Sequence, residues 1–151
     1  MPTKLLLPLL AGMAMVGQAQ ANDLFFYEGN NCTQSRLFSY DTRRFANDNC
    51  QNSGACDGNN DEARSVLVMP GAKARARIQV FDDPKASSAD DFTIIEITNP
   101  QQIPAAGYCV GSFERDTRAH GVLVEHGHHN GLDGKISRVR VLPNPGDRIG
   151  P

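Results

Sequence analysis

The sequence predicts an all-β domain of about eight strands, and three observations carry that expectation. Apolar residues recur with period two in short runs, as where Ile78 and Val80 flank Gln79, or where Val139 and Val141 alternate with Arg138 and Arg140. That spacing puts one face of a strand in a core and the other in water. The runs are separated by clusters of Gly, Asn, Asp and Pro, the residues that turns select. The 3.6-residue period of an amphipathic helix is almost absent.

Residues 1–21 read as a secretion signal and stand apart from the fold. Lys4 supplies the positive start, an apolar run over 5–16 is interrupted only by Pro8 and Gly12, and Ala19-Gln20-Ala21 forms a small-x-small cleavage site. The run is shorter than the roughly 20 apolar residues a helix needs to cross a bilayer. No later stretch comes near that length, so the chain is expected without membrane insertion, released to the periplasm or the medium. Residues 22–142 suffice for one hydrophobic core and not two, which gives a single domain, expected as a monomer. A tail over 143–151, rich in Pro and Gly, is expected to fray. With a net charge of −2 and scattered Arg, the chain offers no patch for nucleic-acid phosphates.

Strands are expected over 24–28, 36–40, 65–69, 76–82, 92–98, 108–113, 122–126 and 136–142. In the first, Phe26 fills the core and Tyr27 closes a hairpin. Between the second and third, residues 41–62 are rich in Asn, Asp, Gly and Gln, so they read as a long loop. Residues 99–107 form another, because Pro100 and Pro104 cannot donate to a ladder and so end the fifth strand. Cys32, Cys50, Cys56 and Cys109 all lie beyond the signal and are expected to pair as two disulfides, in any of three connectivities. Cys50 and Cys56 lack the spacing of zinc ligands.

Catalytic signatures are missing from the pattern. No GxSxG elbow occurs, and Ser112 has its glycine directly adjacent, which is the wrong spacing. Glu114, Asp116 and His120 read as a solvated loop. Asp82-Asp83, followed by Pro84, and Asp90-Asp91, preceded by Ser87-Ser88, read as turns. His126 and His128 would share one side of a strand and could chelate a transition metal. Gly127, Asn130 and Gly131 instead make the cluster with His129 a solvated, titrating hairpin. Binding, not catalysis, is the expected activity.

An internal repeat remains. NDEARSVLV, residues 60–68, lies without gaps over DGKISRVRV, residues 133–141, with Asn60 on Asp133 and Val66 on Val139. Each copy is an acidic or amide turn that feeds a strand. These turns resemble the calcium motif of the βγ-crystallin family, and LFFYEGNN, ARIQVFDDP, YCVGSFE and HHNGLDGKISRVRV look like runs of its small secreted microbial members. The resemblance implies a two-sheet sandwich of two Greek keys. It also implies Ca²⁺ ligands at Asn60, Asp61, the Glu62 carbonyl, Asp133, the Lys135 carbonyl and Ser137, all hard oxygens.

This chain departs from the motif at Arg64, Gly134 and Arg138, which removes oxygens and adds positive charge. The expected affinity is therefore weak, about 10⁻⁴ to 10⁻³ M. Arg64 is expected either to repel the ion or to pair with Asp61; if the turns are simply tight turns that hold no ion, that pair replaces it. The alternative activity is that of a secreted effector, a protease inhibitor or antimicrobial toxin, acting through residues 41–59 or 99–107.

Overall fold

A computed structural model of the chain describes residues 21–52, 54–127 and 130–147. The expected signal, save Ala21, and His128 and His129 lie outside the described residues. Among the described residues, ten strands form two antiparallel sheets. The first has the order β2 (Thr33–Tyr40), β1 (Leu24–Gly29), β4 (Ser65–Val68), β7 (Tyr108–Val110). The second has the order β3 (Ala46–Asn49), β10 (Arg138–Leu142), β5 (Arg77–Phe81), β6 (Phe92–Ile97), β9 (Val122–Gly127), β8 (Thr117–Ala119). No helix among the described residues is long and apolar enough to cross a membrane.

Alternation decides which side chains are inside. Leu24 and Phe26 of β1, Ile78 and Val80 of β5, Ile95 and Ile97 of β6, and Val139 and Val141 of β10 are fully buried in one cluster to which both sheets contribute. Phe26 is the aromatic hub, stacked on Phe38 at 4.7 Å and 6.1 Å from Phe113. The intervening side chains of β10, Arg138 and Arg140, reach out instead.

The registers expose an approximate twofold relation between the halves of the chain. In one half Tyr27 pairs with Ser65 and Phe26 with Val66. In the other Phe81 pairs with Arg138 and Val80 with Val139. The sequence repeat sets Val66 on Val139, so β1 corresponds to β5 and β4 to β10. Each half also lends one strand to the opposite sheet. β3 pairs with β10, Asp48 opposite Val139, while β7 pairs with β4, Val110 opposite Val66.

Two strands lie where loops are expected. β3 falls inside residues 41–62 and carries no apolar alternation. Side chains hold it instead, since Asn47 Oδ1 accepts from Arg138 Nη1 at 2.7 Å and Arg140 Nε at 3.0 Å, and the Tyr40 hydroxyl donates to Asp48 at 2.9 Å. β8 is a three-residue edge strand inside the charged 114–120 segment, and joins β9 through His120 and Gly121, both at positive φ. A Cβ on Gly121 would sit 1.9 Å from the Asn99 carbonyl oxygen, so the tight turn demands glycine.

The cysteines pair as Cys32–Cys109 and Cys50–Cys56. Full pairing is what an oxidising compartment produces. Buried Asp23 anchors the start of the domain, accepting from the Thr42 amide at 2.8 Å, the Thr42 hydroxyl at 2.7 Å and Arg43 at 3.0 Å. Burial raises its carboxyl above the ordinary range in spite of those donors. At the other end Asn144 and Asp147 close a turn, and Lys73 Nζ donates to Asn144 at 2.5 Å.

Candidate functional site

The two turns of the sequence repeat cross each other at the centre of the twofold relation. The Asp61 amide donates to the Ile136 carbonyl at 3.1 Å, and the Gly134 amide donates to the Ala63 carbonyl at 2.9 Å. The repeat sets Asp61 on Gly134 and Ala63 on Ile136, so these two bonds are one bond seen twice. Asp61 and Gly134 both sit in the left-handed region, at φ 60° and 79°, a conformation that Gly and Asp tolerate better than most residues.

A cleft opens on each side of the crossing, and the two are lined by corresponding residues. Glu28, Gly29, Asn30, Asp61, Glu62 and Arg64 line one, of about 450 Å³. Their counterparts Asp82, Asp83, Pro84, Gly134, Lys135 and Ser137 line the other, of about 710 Å³, to which Asp61 and Asp90 add two more carboxylates. The backbone is repeated and the chemistry is not.

Arg64 lines the first cleft, and its guanidinium reaches the boundary with the second, where it lies against Gly134; a Cβ there would come within 2.7 Å of its nitrogen. Arg64 Nη1 also donates to the Asp133 carbonyl at 3.3 Å. The expected pairing of Arg64 with Asp61 does not form. Asp61 Oδ1 accepts from Ser137 Oγ at 2.9 Å, and its Oδ2 from Asn60 Nδ2 at 2.5 Å. Gly134, by lacking a side chain, gives the guanidinium a nearer seat against backbone.

In the second cleft Asp61 and Ser137 share the space with Asp82. Burial first, then the charge of Asp90, with smaller shares from Asp61 and Asp91, raises the Asp82 carboxyl above its ordinary range, and Lys135 opposes the rise. Lys85 and Lys135 also line this cleft, two cations against the carboxylates of Asp61, Asp82, Asp83 and Asp90. Next to Asp61, the buried Asn60 Oδ1 has no hydrogen-bond partner among the described residues, nor does a backbone hydrogen bond among them engage the Glu62 or Lys135 carbonyl.

Asp133, placed by the repeat among the expected ligands, does a different job. Its Oδ2 accepts from Asn30 Nδ2 at 2.6 Å and Ser112 Oγ at 2.7 Å, and its Oδ1 from the Phe113 amide at 2.8 Å. Glu114 Oε1 accepts the Leu132 and Asp133 amides, both at 2.8 Å. These bonds tie the turn to the first hairpin and to the segment after β7. Of the histidines, His126 Nδ1 lies 3.0 Å from Thr93 Oγ1 and its amide donates to Asp116 at 2.7 Å, which sets it on the sheet.

Of the expected ligands, Asp61 and Ser137 meet in one cleft, while Asp133 is engaged by Asn30, Ser112 and Phe113, and Asp82 and Asp90, expected as turn residues, line the cleft instead. The repeat carried one strand further would have found Asp82, because it stands where Glu28 stands in the other half. Among the described residues no group of three or more His, Cys, Asp or Glu side chains is placed to hold a metal ion. An ion at the acidic cleft would therefore draw on hydroxyl, amide, carbonyl and water oxygens as well as on carboxylates. No family model matches this chain, and no curated protein or solved structure matches it.

Proposed function

We propose that the chain is an exported, disulfide-braced βγ-crystallin-like binding protein that takes one calcium ion weakly in the cleft of Asp61, Asp82 and Ser137. The observation that carries this reading is the divergence of the two clefts. One holds the Arg64 guanidinium, while the other sets the four carboxylates of Asp61, Asp82, Asp83 and Asp90 and the Ser137 hydroxyl against two cations, Lys85 and Lys135, and keeps an excess of negative charge. The donor set fits a hard ion with a preference for oxygen. The two lysines in its lining and its exposure to solvent support an affinity of about 10⁻⁴ to 10⁻³ M and no tighter.

Calorimetric titration of the oxidised protein with calcium is the test. One saturable site, lost in Asp61→Ala and weakened in Asp82→Asn, is expected. Heat that is unchanged in both variants, or absent up to about 10 mM calcium, overturns the assignment. A second reading, a secreted inhibitor, is favoured by one feature. The Cys50–Cys56 bond braces a short loop on which Gln51, Asn52 and Gly54 are exposed, and rigid exposed loops bind with little ordering cost. Formation of a stable complex with a secreted protease, lost when residues 51–55 are replaced by glycines, would mark that activity.

A further inference from the structure

A third cleft, of about 390 Å³, opens between the Asn30–Asn31 turn and the segment that follows β7, and shares no lining residue with the acidic cleft. Its walls are fixed to one another. The Cys32–Cys109 disulfide joins the residue after Asn31 to the residue after Tyr108. The Asn31 amide donates to the Gly111 carbonyl at 2.9 Å, and a Cβ on Gly111 would lie 2.4 Å from Asn31 Oδ1, so the walls meet as closely as glycine permits. Its floor is equally committed, because every hydrogen bond of Asp133 and Glu114 described above is made there.

Above this floor stand four polar groups that make no hydrogen bond or ion pair among the described residues: the Asn31 side-chain amide, the Tyr108 hydroxyl, the Arg115 guanidinium and the Thr117 hydroxyl. The Tyr108 ring is steadied by His120, at 5.0 Å between centroids. Polar groups of mixed donor and acceptor character held on a braced frame can engage a ligand with little ordering cost.

The lining narrows the ligand. Val110 and the Tyr108 ring are its only sizeable apolar surfaces, too few for an apolar ligand. Two carboxylates against one guanidinium disfavour an anion. Both oxygens of Asp133 and Oε1 of Glu114 already accept protein donors, which disfavours a metal. The volume is near the low end of the range of about 300 to 1,000 Å³ seen for small-molecule sites. A compact neutral molecule dense in hydroxyls remains, since each hydroxyl both donates and accepts. Amide, guanidinium and hydroxyl groups answer that pattern, and an aromatic ring packs against the C–H face of a sugar.

We propose that the cleft of Asn31, Tyr108, Arg115 and Thr117 binds a neutral mono- or disaccharide. The site is independent of the calcium reading, since its residues lie outside the acidic cleft.

The test is titration of the oxidised, isotope-labelled protein with glucose, galactose, mannose, N-acetylglucosamine, cellobiose and lactose, in chelator, followed by amide chemical shifts. At least one sugar should saturate at millimolar concentration with shifts centred on Asn31, Gly111 and Arg115. Its affinity should fall about tenfold or more in Arg115→Ala and in Tyr108→Ala, with the melting temperature retained in the Arg115 variant. Asp82→Asn should leave sugar binding unchanged. Failure of all six sugars to saturate by about 50 mM overturns the proposal. So does binding that survives both substitutions, or a stronger response to acetate or phosphate than to any sugar. Because chelator is present throughout, failure here is distinct from failure of the calcium site.

Discussion

Replacing Asp133 by Ala separates the two roles that this residue could hold. The structure makes it a bolt. Its carboxylate accepts one part-buried hydroxyl, one part-buried backbone amide and one exposed side-chain amide. A hydrogen bond to a charged group contributes about 1.5 to 3 kcal/mol, and the exposed bond to Asn30 contributes at the low end or below. The two part-buried bonds alone put the loss at about 3 kcal/mol. For a domain of this size that is a fall of about 12 °C in melting temperature. Asp133→Asn keeps one acceptor oxygen and should lose about half as much.

The loss should be complete in chelator, because no ion takes part in it. A residue that served only as a calcium ligand would behave in the opposite way. Its removal would leave the calcium-free melt unchanged and abolish only the ion's own stabilisation. That increment is about 1.4 kcal/mol at ten times the dissociation constant. Thermal unfolding with calcium and with chelator reads both. A variant that melts within about 3 °C of the parent in chelator, yet no longer responds to calcium, refutes the bolt.

Two further outcomes follow from the crossing. Asp82 has a folded pKa raised above its unfolded value, so the native state binds the proton more tightly, and stability is lost as pH rises through that raised value. Asp82→Asn should therefore be more stable than the parent at pH 7, by less than about 1 kcal/mol given its exposure to solvent. The advantage should vanish in melts below the ordinary carboxylate range, and an equal gain at every pH would exclude this cause. Arg64→Ser combined with Gly134→Asp should create a second calcium site, raising the calorimetric stoichiometry from one to two. Asp61 already holds the corresponding left-handed position, so an Asp at 134 costs little backbone strain beyond about 1 kcal/mol.

Much of the fold is legible in the chain because burial on one face imposes a period of two. Each of the eight expected strands finds its counterpart among the ten. β3 and β8 are invisible to that logic. Ala46–Asn49 has nothing apolar to alternate, and the guanidinium groups of Arg138 and Arg140 fix it from the neighbouring strand. Such a contact joins residues some ninety positions apart and leaves no local trace. The site divides in the same way. Asp61 and Ser137 come together because the repeat aligns their turns. Asp82 reads as a turn residue before Pro84, and acquires its neighbours only when β5 pairs with β10 and brings the first turn alongside.

The unequal fates of Asn60 and Asp133 account for the unequal clefts. They are equivalent in the repeat, and the registers identify the equivalents of the three donors that hold Asp133. Asn30 corresponds to Pro84, which has no donor at all. Counting on from Val110 opposite Val66 and Asp48 opposite Val139, Ser112 corresponds to Cys50, whose sulfur is in a disulfide, and Phe113 to Gln51, whose amide donates to Asn49 Oδ1 instead. A carboxylate at position 60 would thus face none of the partners that satisfy Asp133. Asparagine stands there, and even so its Oδ1 stays buried and without a hydrogen-bond partner among the described residues. One turn is closed by protein donors beneath it and by Arg64 above. Its twin lacks those donors, keeps the side chains of Asp61 and Ser137 hydrogen-bonded, among the described residues, to each other and to Asn60 alone, and faces three further aspartates and two lysines across the cleft. An unpaired acceptor beside excess negative charge is stabilised by a cation from solution, and the twin turn is where the fold concentrates both.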